Sequence, residues 1–234
     1  MTLAASPHLP GDRPTTRVAV LASGRGSNFE ALCIGNTLPG VVALLVADRP
    51  GTGAESRAAE LGVETIVADP GPWRTRFSPE AEGCLTELLL EREIGLVCLA
   101  GLMRLLKGPL LEAFPLRVLN IHPSLLPSFP GLHAQRQALE YGVKVSGCTV
   151  HYVDSGTDTG PVILQRTVEV LPDDDEESLS RRILVREHEA YPEAVRLHCA
   201  GLLRVAGRSV FHGDLRRPAP DHRKDPDCTG FSSG

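Results

Sequence analysis

The sequence predicts an α/β fold, a doubly wound and mostly parallel sheet with antiparallel strands at one end. Two observations lead to this prediction. Short apolar runs alternate along the chain with segments of helical periodicity, and the runs are apolar throughout, as in strands that are buried on both faces. Towards the end of the chain, two longer strand-like segments follow one another without a helix between them, which indicates an antiparallel pair.

The first half of the chain shows a regular alternation of strand and helix. Four strands are predicted, at Val18 to Ala22, Val41 to Ala47, Thr65 to Ala68 and Leu96 to Ala100. Helices are predicted after the first three strands, at Asn28 to Gly35, Ala54 to Leu61 and Glu80 to Arg92. Because each helix carries the chain back to the start of the next strand, we expect these strands to be parallel.

The second half begins with one more buried strand and ends with a long helix. The predicted elements are a strand at Val118 to Ile121, a helix at Ala134 to Tyr141, strands at Val145 to Val153 and Val162 to Val170, and a helix at Ser178 to Leu197. An acidic run, D-D-D-E-E at 173–177, precedes the last helix. Negative charge is favourable at a helix N-terminus, so this run needs no binding role.

We expect a single domain, from residue 17 to residue 215. A chain of 234 residues, 42% of them hydrophobic, can bury one substantial core. Residues 1–16 contain Pro and Gly without apolar periodicity, and residues 216–234 are polar and rich in Pro. The sequence therefore predicts a disordered leader and a disordered tail.

Charge and cysteine content argue against several classes of function. The net charge of −5 gives no general attraction for nucleic acid or for an anionic membrane, so we expect neither as a partner. No apolar run approaches the roughly 20 residues of a spanning helix, and the leader has prolines where a secretory signal needs an apolar segment, which favours the cytoplasm. The six cysteines lie far apart without a C-x-x-C pair, so neither disulfides nor zinc is expected.

The stretch from Val118 to Pro130, V-L-N-I-H-P-S-L-L-P-S-F-P, combines a buried strand with polar side chains suited to catalysis. Side chains alternate along a strand, so Asn120 and His122 project from the same face near its end. Asn can donate a hydrogen bond to a developing oxyanion, and His titrates near neutral pH and can move a proton. Taken alone, the spacing also fits an ordinary strand end before a Pro-rich loop.

A glycine-rich turn, S-G-R-G-S-N at 23–28, follows the first strand. Gly24 and Gly26 permit positive φ and a close approach of the backbone to a ligand, and Ser27 or Asn28 can cap the next helix. Free N–H groups at a helix start favour an anion, so we expect a phosphate here. The last glycine of a dinucleotide motif is replaced by phenylalanine and the P-loop pattern is absent, so neither a dinucleotide nor a nucleoside triphosphate is expected. A plain strand-to-helix turn is the alternative.

The segment H-Y-V-D-S-G-T-D-T-G-P-V-I at 151–163 places two carboxylates in a loop between strands. Aspartates in such loops usually bond their own backbone, and one of Asp154 and Asp158 is expected to do so. The other is a candidate to orient His122, since a nearby negative charge raises the pKa of an imidazole. We expect Asp158 to reach His122 beyond the carboxyl ends of the strands, where ligands of doubly wound sheets bind.

Four motifs occur in a distinctive order along the chain. They are S-G-R-G-S-N at 23–28, A-G-L-M-R-L-L at 100–106, N-I-H-P-S-L-L-P-S-F-P-G-L-H at 120–133 and D-T-G-P at 158–161. Together they resemble the phosphoribosylglycinamide formyltransferase family, the folate-dependent enzymes of purine synthesis, from about Arg17 to Gly207. The resemblance implies the formyltransferase fold, with a Rossmann-like N-terminal half that binds the nucleotide and a folate site beside it.

The resemblance also implies a role for each motif. The catalytic residues would be Asn120, His122 and Asp158. The substrate phosphate and ribonucleotide would be held by Gly26, Ser27, Asn28 and Glu187. The folate pocket would be lined by Met103, Arg104, Leu105, Leu106 and Asn120. The implied reaction transfers the formyl group of the co-substrate 10-formyltetrahydrofolate to the primary amine of glycinamide ribonucleotide, without a metal, in a monomer or homodimer.

One position departs from the pattern of the family. The family places an arginine near the start of the helix before the fourth strand, to meet the folate, whereas this sequence has Ser78 there, in R-F-S-P-E-A-E-G-C. Arg74 or Arg76 in the preceding loop is a candidate substitute. The alternative is that the contact is absent.

Three other functions are compatible with these motifs. A methionyl-tRNA formyltransferase is expected to carry a further domain with a basic RNA-binding face, and a formyltetrahydrofolate hydrolase is expected to carry a regulatory domain. The sequence shows neither, so we expect neither function. A non-catalytic nucleotide-binding regulator on the same scaffold is the third alternative, because a fold alone does not fix function.

Overall fold

The computed structural model describes residues 15–213. The predicted tail at 216–234 lies outside these residues, and so does the predicted leader apart from Thr15 and Thr16. Thr16 already belongs to the first strand and pairs with Gly40, so the sheet begins one residue before the expected domain boundary. In the described part of the chain, no helix is long and apolar enough to cross a membrane.

Seven strands form the main sheet. They are β1 (Thr16–Ala22), β2 (Gly40–Ala47), β3 (Glu64–Val67), β4 (Ile94–Leu99), β5 (Val118–His122), β6 (Val145–Tyr152) and β7 (Val162–Glu169). Their order across the sheet is β3-β2-β1-β4-β5-β6-β7. The first five strands pair in parallel, whereas β6 is antiparallel to both β5 and β7. The predicted fold class is therefore confirmed.

Helices cover both faces of this sheet. They are α1 (Ser27–Ile34), α2 (Gly53–Leu61), α3 (Pro79–Glu91), α4 (Pro109–Ala113), α5 (Ala134–Tyr141) and α6 (Glu176–Cys199). In β1, Val18 and Val20 join the core that contains residues of α1, α2, α5 and α6, whereas Ala19 and Leu21 join the core that contains residues of α3 and α4. Because alternate side chains enter two different cores, the strand is apolar along its buried length.

Two short structures were not predicted from the sequence. One is α4, and the other is a hairpin of β8 (Leu203–Ala206) and β9 (Ser209–His212). The strands of the hairpin have four residues each, none of them fully buried, so neither length nor apolar pattern indicates them. The hairpin is joined to the main sheet by His212, whose Nε2 donates to the Ile163 carbonyl at 2.9 Å.

The direction of the chain across the sheet changes between β1 and β4. From β1 the chain moves outwards to β2 and β3, and it then returns to β4 on the other side of β1. The loops after β1 and β4 therefore diverge at the carboxyl edge of the sheet, which is where open α/β sheets bind ligands. The glycine-rich turn, the loop at 100–108 and the end of β5 all lie along this edge.

Candidate active site

The end of β5 brings three of the sequence-predicted residues together. Asn120 and His122 are on this strand, which pairs with β6, and Asp158 is in the loop between β6 and β7. His122 Nδ1 lies 3.4 Å from Asp158 Oδ2. Asn120 Nδ2 lies 3.5 Å from the other oxygen of the same carboxylate, Oδ1. The antiparallel turn between β6 and β7 thus places a carboxylate next to both β5 side chains.

Both nitrogens of the His122 ring face hydrogen-bond acceptors. Nε2 lies 2.9 Å from the Phe129 carbonyl oxygen, to which it can donate, and Nδ1 faces the Asp158 carboxylate. Burial nevertheless lowers the pKa of His122 below its usual value, although the Phe129 carbonyl and the Asp158 charge act in the opposite direction. Asp158 thus raises the pKa of His122, as the sequence predicts, but the larger effect of burial leaves the imidazole neutral at neutral pH.

Asp158 also holds the loop that follows β5. Its Oδ2 accepts a hydrogen bond from the Gly131 N–H at 2.8 Å. Burial raises the pKa of Asp158, but the contact with the His151 ring, the hydrogen bond from the Gly131 N–H and the nearby His122 imidazole together lower it below its usual value. The carboxylate is therefore ionised at neutral pH. Asp158 itself has a φ of 55°, in the left-handed region that Asp tolerates better than most residues.

His151 belongs to the same cluster, although nothing in the sequence indicated a role for it. It lies directly opposite Asn120 in the β5–β6 register and is 2% exposed. Its Nδ1 donates to the Tyr152 carbonyl at 2.8 Å, which leaves Nε2 to accept a hydrogen bond from Asn120 Nδ2 at 3.1 Å. This contact fixes the orientation of the Asn120 amide. The sequence could not show it, because it depends on the register between two strands.

Asp154 has the turn-forming role that was expected for one of the two aspartates. Its Oδ1 accepts hydrogen bonds from the Gly156 N–H at 3.0 Å and from the Thr159 hydroxyl at 2.6 Å. Both contacts are within the β6–β7 loop. Asp154 therefore shapes the loop that presents Asp158.

The glycine-rich turn ends at Gly26, which precedes the first residue of α1 and has a φ of 79°. A Cβ atom at this position would lie 2.5 Å from the Cα of Ala54, so only glycine fits. The prediction that Ser27 or Asn28 caps α1 is wrong, since no side-chain cap forms among the described residues. The N–H groups at the start of α1 are thus left for another acceptor, as an anion site requires.

Instead of capping α1, Asn28 contacts α6. Its Nδ2 donates to Glu187 Oε2 at 2.7 Å, and the Glu187 side chain is buried. Burial raises the pKa of Glu187, which the hydrogen bond from Asn28 opposes. The structure therefore brings Glu187 to the start of α1, 159 residues away along the chain from Asn28.

The four residues at 103–106 have different environments. Met103 and Leu105 are 61% and 38% exposed, whereas Leu106 is buried in the core beneath α3 and α4. The Arg104 guanidinium is occupied by Asp48, whose Oδ2 lies 2.6 Å from Nε, and by the Trp73 carbonyl. Met103 and Leu105 thus offer apolar surface for a ligand, while Arg104 fixes the loop.

The structure also shows the surroundings of Ser78, which stands where the family has an arginine. Ser78 is the N-cap of α3, where its hydroxyl accepts from the Ala81 N–H at 3.2 Å. Arg76 forms a backbone bridge with Leu105, and its guanidinium lies 3.9 Å from the centre of the Trp73 ring. Both candidate substitutes therefore lie beside the loop at 103–106, since the Arg74 carbonyl accepts a hydrogen bond from Arg104 Nη1 at 3.1 Å.

Comparison with known proteins agrees with this geometry. The family model described as formyl transferase matches residues 16–195. The chain is 41% identical over 183 residues to phosphoribosylglycinamide formyltransferase of Bacillus subtilis, an alignment that covers 77% of this chain and 93% of that protein. Among solved structures, glycinamide ribonucleotide transformylase 1 from Symbiobacterium toebii superimposes with a TM-score of 0.81 at 50% identity and covers 86% of this chain and 95% of its own.

Longer relatives contain the same unit. The trifunctional purine biosynthetic protein adenosine-3 of Drosophila pseudoobscura pseudoobscura is 44% identical over 218 residues, which is 91% of this chain. This chain spans only 15% of the length of that protein. The family predicted from the four motifs is confirmed by these matches.

Proposed function

Because the chain belongs to the formyl transferase family, we propose that it transfers the formyl group of 10-formyltetrahydrofolate to the primary amine of glycinamide ribonucleotide. The products are formylglycinamide ribonucleotide and tetrahydrofolate. The observation that carries the proposal is the cluster of Asn120, His122 and Asp158 at the end of β5. This cluster lies on the same edge of the sheet as an uncapped helix start and an exposed apolar loop.

The first step is attack of the substrate amine on the formyl carbon. As the new C–N bond forms, negative charge develops on the formyl oxygen. The Asn120 N–H that does not contact His151, and that is held by Asp158 only at 3.5 Å, donates a hydrogen bond to it. A single donor of this kind contributes about 3 to 4 kcal/mol to transition-state stabilisation. His151 supports this role, because its contact with Asn120 Nδ2 at 3.1 Å holds the amide in a fixed orientation.

His122 moves a proton from the attacking amine nitrogen of the ribonucleotide to N10 of the folate. Burial keeps its imidazole neutral at rest, and because Nε2 donates to the Phe129 carbonyl, Nδ1 is the nitrogen that can accept the proton that the attacking amine loses. The protonated ring then has an acceptor at each nitrogen, the Asp158 carboxylate and the Phe129 carbonyl. Donation of that proton to N10 of the folate allows the C–N10 bond to break, which returns His122 to its neutral form.

The remaining residues are assigned to binding. We place the substrate phosphate at the backbone N–H groups of Gly26, Ser27 and Asn28, and the ribose near Glu187, which hydrogen-bonds Asn28. We place the folate against Met103 and Leu105. Arg104 and Leu106 act indirectly in this assignment, since one is paired with Asp48 and the other is buried.

The test compares three formyl acceptors with the purified protein and 10-formyltetrahydrofolate. We expect turnover with glycinamide ribonucleotide at least about a hundredfold faster than with water, and none with methionyl-tRNA. Release of formate as the main product would identify a hydrolase instead. Absence of turnover with every acceptor, together with tight ribonucleotide binding by calorimetry, would favour a non-catalytic regulator.

A further inference from the structure

A cavity lies away from the catalytic cluster (Asn120, His122 and Asp158) at the end of β5. It has a volume of about 600 Å³ and is formed by the loops that follow β1 and β2, together with the first turns of α2. β2 and β5 are on opposite sides of β1, so this cavity lies on the other side of β1 from the catalytic cluster, with Ser23, Gly24 and Arg25 of the glycine-rich turn in its wall. Its volume is in the usual range for small-molecule sites.

Three arginines, Arg25, Arg49 and Arg57, are among the residues that line this cavity. Arg49 Nη2 donates to the Ser23 carbonyl at 2.8 Å, a contact that leaves its charge uncompensated. Arg57 forms an ion pair with Glu30. Among the described contacts, neither Arg25 nor Arg49 is paired with a carboxylate.

The walls of the cavity are held together by direct contacts between the two loops. The Ala54 N–H donates to the Gly24 carbonyl at 3.2 Å, and Arg57 Nε donates to the Arg25 carbonyl at 3.0 Å. A Cβ atom on Gly53 would lie 2.9 Å from the Arg25 carbonyl oxygen, so the loops approach as closely as glycine allows. The backbone segments that carry Arg25 and Arg57 are therefore held together by direct contacts.

Among the described residues of the lining, Glu60 is the one carboxylate, which leaves an excess of positive charge.

We propose that this cavity, which we call the arginine pocket (Arg25, Arg49, Arg57, Gly51 and Ser56), binds a phosphomonoester distinct from the ribonucleotide substrate. Guanidinium groups match the geometry of phosphate oxygens and form paired, charge-assisted hydrogen bonds with them. The arginine pocket shares no side chain with the catalytic cluster or with the substrate phosphate site at Gly26 to Asn28, although Arg25 belongs to the same glycine-rich turn.

The environment of Asp48, which precedes Arg49, indicates which part of a ligand the arginine pocket recognises. In dinucleotide-binding folds an acidic residue at the end of the second strand takes the ribose hydroxyls, whereas a nearby arginine takes a phosphate. Asp48 is at that place here, but it is buried and its Oδ2 accepts from Arg104 Nε at 2.6 Å. Arg49, the next residue, is exposed. The arginine pocket therefore recognises phosphate rather than a nucleoside.

The test is calorimetric titration of the full chain with AMP and with adenosine. We expect AMP to bind and adenosine to show no binding. The double variant Arg25→Gln/Arg49→Gln should weaken AMP binding by at least about tenfold, while Arg181→Gln, which removes an exposed arginine on α6, should leave it unchanged. Failure of AMP to bind, or equal affinity in the double variant and the wild type, would overturn the proposal.

A second variant protects the test against a folding defect in the double variant. Ser56→Glu places a carboxylate in the wall of the arginine pocket and retains all three arginines. Ser56 is exposed near the start of α2, where an acidic residue is favourable for the helix. We expect the same weakening of AMP binding, with formyl transfer to glycinamide ribonucleotide unchanged. Unaltered AMP affinity in Ser56→Glu would place the AMP site elsewhere.

Discussion

The ring of His122 is 5% exposed and lies between the Asp158 carboxylate and the Phe129 carbonyl. Burial disfavours the charged ring, and the two acceptors favour it. Burial has the larger effect, since the net pKa of His122 lies below its usual value. A base that is neutral at rest and well partnered once protonated suits a step in which one proton is taken up and then released.

The first prediction concerns the charge of Asp158. Replacement by Asn should lower the pKa of His122 further and make it a weaker base, because the opposite charge 3.4 Å away is lost. We expect turnover near pH 7.5 to fall at least about tenfold. The acid limb of the pH–rate profile, which reports protonation of His122 at rest, should move to lower pH. Turnover measured from about pH 5 to 9 gives both quantities.

Asp154→Asn is the matched control for this variant. Asp154 is in the same loop, and its carboxylate contacts only Gly156 and Thr159 in the described structure. The Asp154→Asn variant should shift neither limb of the pH–rate profile. If Asp158→Asn instead recovered activity at low pH, a charged imidazole would be the active form, and the order of proton transfers proposed here would be reversed.

At the scale of single residues, the sequence was sufficient to name the candidate catalytic side chains. It did not show whether burial or neighbouring charge has the larger effect on the pKa of His122. Asn120 and His122 could be chosen because a strand has a period of two, which holds in any environment. The part played by His151 requires the β5–β6 register, and the burial of His122 requires the packing of the loop that contains Phe129. Neither is encoded in local spacing, so both were found only in the structure.

Among the elements, the start of α1 depends on one glycine. The φ of 79° at Gly26 is unfavourable for any other residue, and a Cβ atom there would overlap Ala54 of α2. We expect Gly26→Ala to cost about 2 kcal/mol or more, which for a domain of this size lowers the melting temperature by roughly 4 to 8 °C. Thermal unfolding followed by circular dichroism measures this change.

Gly24→Ala is the control for the glycine-rich turn. A Cβ atom on Gly24 would have no neighbouring atom within 4 Å, and the φ of Gly24 lies outside the left-handed region. The melting temperature of this variant should therefore remain close to that of the wild type. A similar loss in both variants would mean that the turn as a whole, rather than the contact of Gly26 with α2, determines stability.

The elements themselves could be predicted where their apolar pattern is long. The boundaries of β2, β6 and α5 lie within about two residues of the predicted ones, because buried runs and helical periodicity are visible in the sequence. The hairpin of β8 and β9 and the five-residue helix α4 were missed, since each is too short to complete a pattern. The cap of α1 was also predicted wrongly, because Asn28 contacts α6 instead.

For the whole molecule, the half-buried His198 links stability to pH. Burial, with a smaller effect of Arg117, lowers the pKa of His198 from 6.5 to about 4. The unfolded chain therefore binds this proton at pH values at which the folded chain does not. The contribution of His198 to stability is complete above a pH of about 6.5 and is lost as the pH falls towards about 4.

We accordingly expect wild-type stability to fall on acidification more steeply than that of His198→Asn. The difference should reach about 2 kcal/mol at pH 5 relative to neutral pH. Asn can replace the Nδ1 atom of His198, which lies 2.9 Å from the Tyr152 hydroxyl, so the variant should fold. Denaturant unfolding of both proteins at pH 7.5 and pH 5 measures the difference. Parallel pH dependence would show that His198 does not carry this linkage.

In the proposed mechanism, one edge of the sheet binds both substrates and His122 moves the proton between them. The most direct measurement is single-turnover formation of formylglycinamide ribonucleotide by the wild type and by His122→Asn, with binding of each substrate measured separately by calorimetry. We expect a loss of at least about a hundredfold in the rate of the chemical step, with less than about threefold change in either affinity. A variant that binds both substrates and turns over at the wild-type rate would contradict this account.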